Sequence, residues 1–455
     1  MQVEVLQGAK MANEVSQNPA SQAGEQPPRK QMTMAVAFSC FGWAFDLYDL
    51  FILLYVAPVL ARVFFPSTHP MLSLAGVYAA FTATLFMRPL GGVLFGPYAD
   101  RYGRKRAMVV AAVGVGLATG LMGLLPTIEQ VGIIATVAFL ALRLIQGVFM
   151  GGMVAATHTL GTESMSPRWR GLASGIISGG GSGIGKLFAS LMFLLASWLF
   201  PGPAFDQWGW RFMFLTGLLS SALGLLVFSR LQESPLWQAA QQSKAKRAVE
   251  QPKQPLSVLV RDGYLPTLAV GVLLTLAGGG LSYLTSGYLP TFLRLVNHES
   301  ATTIGSAMSL SAVFVMISSV LAGWLTDLIG RRKGIMLYGV INLIALPVLY
   351  LALARETDVF WICLFAAMLS GIGTFCYAPL LIILNERFPT QIRSSGTAIS
   401  WNIGFSLGGS LPTLVSLMSG KPSDLPVVLA VTCGVVSLLY LVVTRYTPET
   451  RGQMK

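Results

Sequence analysis

The hydrophobic and polar positions of this chain do not alternate with a helical or strand period. Long, nearly unbroken apolar runs follow one another, separated by short polar segments. A run of about 20 apolar residues is what a helix needs to cross a hydrocarbon layer of roughly 30 Å. Such runs recur twelve times, at 33–61, 72–97, 107–126, 133–158, 171–200, 211–230, 264–292, 303–326, 334–354, 358–384, 396–418 and 426–445. The pattern predicts an all-α membrane protein of twelve transmembrane helices. Residues 1–31 are polar, with no apolar core, and read as a disordered tail rather than a signal peptide.

Composition agrees. Of 455 residues 54% are apolar and only 11% are charged, too few charges to cover the surface of a soluble protein of this length. The net charge of +12 would suggest nucleic acid in a soluble protein. Here its distribution argues for topology instead. With the N-terminus inside, 23 of the 31 Lys and Arg residues fall in inner segments, five in outer segments and three within spans. The positive-inside rule therefore predicts cytoplasmic termini and a plasma-membrane protein, in the inner membrane if the source is bacterial. Cys40, Cys363, Cys376 and Cys433 lie in apolar stretches with no metal or disulfide spacing. No nucleotide loop, metal cluster or catalytic triad is visible, and no cofactor or enzymatic activity is expected.

The chain repeats itself. Gly96-x-x-x-Asp100-x-x-Gly103-Arg104-Lys105-Arg106 returns as Gly323-x-x-x-Asp327-x-x-Gly330-Arg331-Arg332-Lys333, 227 residues later. Glu163, Pro167, Arg170 and Gly171 are echoed by Glu386, Pro389, Arg393 and Gly396. Glu233-Ser234-Pro235 is echoed by Pro448-Glu449-Thr450. Three matched signatures imply a duplicated six-span unit. The expected division is a tail 1–31, a six-helix bundle 32–230, a cytoplasmic linker 231–263 with Lys244, Lys246 and Arg247, a second bundle 264–446, and a tail 447–455.

These residues resemble the major facilitator superfamily over nearly the whole chain after residue 32. The doubled Asp–Gly–Arg loop carries the resemblance, with Arg143-Leu-Ile-Gln146-Gly147, Gly151 and Gly152 in the fourth span. Asp46-Leu-Tyr-Asp49, Arg88-Pro-Leu-Gly-Gly92 and Trp208-Gly-Trp-Arg211 are similar to the metabolite–proton symporters and the sialate and aromatic-acid symporters. Met153 departs from the Glu that the first of these often carry. Pro448-Glu449-Thr450-Arg451-Gly452 is similar to the ending of sugar porters. The fifth span lacks the Gly-Pro of the antiporter branch, which disfavours antiport. The resemblance implies two pseudo-symmetric six-helix bundles, a secondary transporter and a functional monomer.

Ionisable residues inside spans cost roughly 2.5–3.5 kcal/mol each on insertion scales, so each needs a reason. Five stand out, all in the first half: Asp46, Asp49, Arg88, Arg143 and Lys186. Asp46 and Asp49 are three apart near mid-span. Two such carboxylates resist simultaneous ionisation, which suits proton coupling; the alternative is that one merely pairs with an Arg. Lys186 is too deep to reach water. It reads as a cation for a substrate carboxylate, or as the partner of Asp46 or Asp49. Arg143 is read equally as a carboxylate clamp and as a structural or relay residue. Arg88 suggests gating. Tyr283, Tyr377, Trp401 and Asn402 are candidates for lining the site from the second half, against ordinary packing. His158 reads as interfacial, and His69 and His298 as incidental. Asp100, Arg104, Asp327, Arg331, Glu163, Arg170, Glu386 and Arg393 are the expected gate.

Two acids facing three bases favour an organic anion moved with protons. Asn and Gln are sparse in the spans, which weakens the alternative of a sugar or polyol. A non-transporting metabolite sensor is a further alternative, but no signalling domain is appended. The expected partners are the small anion, protons and the bilayer, with no nucleic acid.

Overall fold

The computed structural model describes residues 29–102, 104–163, 169–229, 263–389 and 392–451. The tail 1–28, most of the expected linker and residues 452–455 lie outside them. The described residues are helical throughout, with no strand among them. In chain order the spans are α1 (Arg29–Phe64), α2 (Pro70–Tyr102), α3 (Arg104–Leu124) and α4 (Ile133–Glu163). Next come α5 (Arg170–Ser174, Gly175–Gly180 and Gly181–Leu199) and α6 (Phe205–Gly209, Trp210–Leu215 and Gly217–Ser229). The second half begins with α7 (Leu265–Ser282, Tyr283–Gly287 and Leu289–Leu295), α8 (Ala301–Ile329) and α9 (Arg331–Leu353). It ends with α10 (Val359–Phe375 and Leu380–Arg387), α11 (Arg393–Gly409 and Leu411–Met418) and α12 (Leu425–Arg445).

Eleven of these are long and apolar enough to cross a membrane unaided. The exception is α11. Its first piece is rich in Ser and Gly, and it breaks at Ser410, just before Pro412. A proline lacks the N–H that would continue the ladder, and a membrane helix tolerates the break only where neighbours cover the freed backbone groups.

The two halves pack alike. In the first, α1 lies on α5, α2 on α4 and α3 on α6; in the second, α7 lies on α11, α8 on α10 and α9 on α12. The halves meet through α5 against α8 and through α2 against α11, again an equivalent pair. Small residues allow the close contacts. A Cβ on Gly151 would fall 1.9 Å from the Arg88 carbonyl oxygen, so α2 and α4 touch backbone to backbone there. That contact fixes the depth of Arg88.

The spans are not uniform helices. Gly175–Gly180 and Tyr283–Gly287 are π-helical turns in α5 and α7. Such turns insert one residue and re-aim the side chains beyond it, and they concentrate at functional sites. In α7 the wider turn carries Tyr283 and Ser286 at the junction between the halves.

Candidate functional site

The five charges expected within the membrane separate into three groups, each positioned by different helices. All five side chains are buried.

Asp46 on α1 faces Arg88 on α2. One guanidinium nitrogen, Nη2, donates to both carboxylate oxygens at 3.0 and 2.9 Å. Arg88 Nε is buried with no hydrogen-bond partner, and Nη2 also lies 4.0 Å from Met150 Sδ. Above this pair sits Tyr283. Its hydroxyl is buried and unpartnered, its ring is held edge-on by Phe81 and Phe405, and it lies within electrostatic reach of both Arg88 and Asp46. The wall is aromatic. Trp43 Nε1 donates to the Tyr377 hydroxyl at 2.9 Å, and Trp401 stacks on Phe405 with centroids 4.3 Å apart.

Asp49 points elsewhere. Its Oδ1 lies beside Gly217 of α6, where an added Cβ would sit 3.2 Å away. Within electrostatic reach is Arg143 of α4. Arg143 lies over the Phe139 and Phe214 rings, 5.3 and 5.5 Å from their centroids, and donates to Gln146 Oε1 at 2.7 Å. Gln146 Nε2 donates in turn to Thr119 Oγ1 at 2.7 Å. Arg143 Nε and Nη2 are buried without partners. Asp46 and Asp49 therefore address different cations. Three residues along a helix turn through about 60° of azimuth, enough to aim one carboxylate at α2 and the other at α6.

Lys186 on α5 stands apart from both. Its Nζ donates to Ser286 Oγ of α7 at 3.2 Å and lies 4.8 Å from the Phe51 ring centroid. It is 2% exposed, and no carboxylate lies within ion-pair distance among the described residues. The permanent pairing with Asp46 or Asp49 allowed by the sequence is absent there. A buried ammonium with one neutral hydroxyl partner and one ring face is short of compensation.

The second-half candidates divide. Tyr283, Tyr377 and Trp401 join the central wall. Asn402 Nδ2 donates to the Ala398 carbonyl of its own helix, and its Oδ1 is buried and unpartnered. The sequence reading missed Trp43, Phe51, Phe405 and Ser286. Trp43 was open to inference, since it lies three residues before Asp46 and must share its face. Ser286 carried no such signal.

The site is closed at both ends. At the end bearing the basic loops, Asp327 Oδ2 accepts the Leu172 backbone N–H at the start of α5 at 2.8 Å. Deeper on that side, Ser178 Oγ donates to the Ala378 carbonyl at 3.1 Å. At the opposite end Tyr78 of α2 stacks on Tyr288 of α7 with centroids 4.9 Å apart, and its hydroxyl bonds to Thr291 Oγ1 at 2.8 Å. Thr82 Oγ1 donates to the Gly409 carbonyl at 2.9 Å. All of these contacts join one half to the other.

A family model described as the Major Facilitator Superfamily matches residues 32–299 and 296–455. The chain belongs to the major facilitator superfamily. It is 30% identical over 444 residues to the inner membrane metabolite transport protein YhjE of Escherichia coli K12, covering 94% of this chain and 97% of that one. It is 26% identical over 404 residues to the proline/betaine transporter of the same organism, covering 87% and 79%. The D-xylose-proton symporter structure superposes with a TM-score of 0.68 at 18% identity, over 92% of this chain and 99% of that chain, a likeness of fold. This is a transporter and not an enzyme.

The second copy of the doubled loop is built around Arg331. Arg331 is fully buried. It donates to Asp327 Oδ1 at 2.6 Å and, through Nε and Nη2, to both oxygens of Glu386 at 3.1 Å. Thr450 Oγ1 donates to Glu386 Oε2 at 2.8 Å. Glu449 receives the Arg331 and Arg332 backbone N–H groups at the start of α9, at 2.9 and 3.2 Å. Partial burial works against its charge, but those N–H groups with those of Arg451 and Thr450 hold its carboxyl below the ordinary glutamate range. Arg393 donates instead to the Asn385 and Phe388 carbonyls of α10. The side chains of Asp100, Arg104, Glu163, Arg170 and His158 lie outside the described residues.

Asp327 thus binds its own half through Arg331 and the other half through Leu172. The second bond exists only while that end is shut. Asp327→Asn weakens a charge-assisted acceptor, worth about 1.5–3 kcal/mol, and should shift the carrier tenfold or more toward opening at the basic end. A single cysteine at Ser178 in a variant lacking the four native cysteines should then label faster from that end, with turnover slowed. Unchanged labelling with slowed transport would remove Asp327 from the gate.

Proposed function

We propose that this chain is a proton-coupled importer of a small organic anion, a carboxylate, that works by alternating access. The observation that supports it best is Lys186: a buried ammonium at the meeting of the halves with no carboxylate partner among the described residues. An anionic substrate supplies the missing charge. Asp46 and Asp49 serve as proton carriers, each beside a cation whose field changes when the proton arrives. Arg143, Tyr283, Tyr377, Trp401 and Asn402 line or support the substrate position. Arg88, Asp100, Arg104, Asp327, Arg331, Glu163, Arg170, Glu386 and Arg393 govern closure. The bundles 32–230 and 264–446 rock about this centre, joined by the linker 231–263. The charge bias supports cytoplasmic termini, and the unit is a monomer.

A second reading is favoured by the aromatic wall. Trp43, Tyr377, Trp401 and Phe405 beside Asp46 suit a cationic group, so a zwitterion could place its carboxylate at Lys186 and its cation there. The similarity to a proline/betaine transporter is consistent with this. Uptake by the purified protein in liposomes, with carboxylates and glycine betaine compared under an imposed pH gradient, separates the two.

A further inference from the structure

We propose that the Asp46–Arg88 pair is a proton-operated latch over a second anion position, and that the substrate carries two anionic groups. The inference rests on the anion reading above and adds the use of Arg88, the order of events and the charge of the substrate.

The argument begins with the charge of the closed core. The charge of Arg88 is met by Asp46, and Asp49 has Arg143 in reach. Lys186 is the cation left over. A monoanion bound at Lys186 would neutralise the core by itself, with no proton needed. A proton on Asp46 becomes useful only if something else then claims Arg88. The structure leaves room for such a claimant. Arg88 Nε and the Tyr283 hydroxyl are both buried and unpartnered, on opposite helices and within electrostatic reach of one another. Two buried orphan donors are what a missing acceptor leaves behind.

The two anion positions border the same turn of α7. Lys186 is tethered to Ser286, and Arg88 lies in reach of Tyr283. Tyr283 and Ser286 share the π-helical turn of α7, three residues apart. Adjacent turns of a helix are separated by about 5 Å. A dicarboxylate that spans the two positions would meet both cations.

The latch conserves charge at each step. In the empty carrier Asp46 carboxylate holds Arg88 through Nη2. One proton from water binds an Asp46 oxygen, and the acid releases the guanidinium. One carboxylate of the substrate takes Arg88 Nη2 and Nε with the Tyr283 hydroxyl; the other takes Lys186. The freed Arg88 and Lys186 then meet two negative charges, and the loaded core is neutral. Loss of the proton restores Asp46 as competitor and expels the substrate. The groups facing Asp46 are Arg88 on α2, Tyr283 on α7 and Tyr377 on α10. Asp49 lies one turn along α1, and Lys186 on α5 is bonded to Ser286. Of these only Arg88 is an ion-pair partner of Asp46.

The test is equilibrium binding to the purified full chain in lipid nanodiscs. The probes are malonate, succinate, glutarate and the three phthalates, each beside its matched monocarboxylate, and glycine betaine. The pH range is one in which every probe stays fully ionised. At least one dicarboxylate should bind tenfold or more tighter than its monocarboxylate. Its affinity should rise up to tenfold for each pH unit lowered. Asp46→Asn, with Arg88 permanently free, should bind that dicarboxylate as tightly at high pH as at low. Arg88→Gln should reduce it to the monocarboxylate level. Because Arg88→Gln alone strands a buried carboxylate, Asp46→Asn/Arg88→Gln is measured beside it and should show the same loss. Equal binding of mono- and dicarboxylates, or the wild-type pH dependence persisting in Asp46→Asn, overturns the latch and leaves the anion reading standing. Binding of glycine betaine with no carboxylate binding overturns both, as does no binding of any probe.

Discussion

Replacing Asp46 or Asp49 by Asn should abolish accumulation against a gradient while substrate exchange survives. A carrier that couples one proton to one substrate at fixed membrane potential can sustain about a tenfold concentration ratio per pH unit, since one unit is worth 1.36 kcal/mol. An amide cannot carry that proton. The variant still has Lys186 for the anion, and its halves still rock, so it equilibrates substrate without concentrating it. Asn is nearly isosteric with Asp, which limits packing damage at both buried positions. The accumulation ratio in vesicles with an imposed pH gradient should fall from about ten per unit toward one. Radiolabel exchange at equal concentrations should continue. Full active accumulation in both single variants would remove these carboxylates from coupling.

The second large effect is expected at Lys186. Its ammonium is buried, with one hydroxyl and one ring as its described partners. Truncating a desolvated charge that meets a substrate carboxylate costs about 2–5 kcal/mol of binding, which is roughly 30-fold to several thousand-fold in affinity. Lys186→Ala should therefore nearly eliminate high-affinity anion binding. Lys186→Arg keeps the charge but replaces a compact ammonium with a planar fork, so it should fall between. Stability should move the other way or not at all, because an uncompensated buried cation burdens the empty fold. Melting of the empty protein alongside binding makes that distinction. Unaltered affinity in Lys186→Ala would leave Lys186 without a substrate role.

The sequence revealed most of the frame, because the bilayer leaves so few solutions. Apolar runs long enough to span mark helices wherever they occur, and the Asp100 and Asp327 loops betray the duplication by their residues alone. α11 was placed, but not its break, since Ser410–Pro412 is tolerated only through packing that no run length reports. Within the site, the sequence named all five buried charges by their cost. Their pairing was another matter. Asp46 and Asp49 sit three apart and looked like one unit, yet α2 claims the first and α6 shelters the second. That outcome depends on how α1 is rotated among its neighbours, which residue types do not encode locally. Lys186 finding Ser286 depends on the π-helical turn of α7, a one-residue insertion without a hydropathy signature. Trp43, by contrast, was inferable from its place on the Asp46 face.

The most direct test of proton-coupled anion import is uptake by the purified protein in liposomes. A panel of mono- and dicarboxylates would be offered with an inward proton gradient, with sodium present and absent, and with xylose and glycine betaine as non-anionic comparisons. Accumulation of a carboxylate that follows the pH gradient, ignores sodium and alkalinises the external medium is the predicted result. Accumulation that follows sodium and ignores the pH gradient, or that is confined to the sugar or the betaine, would contradict it.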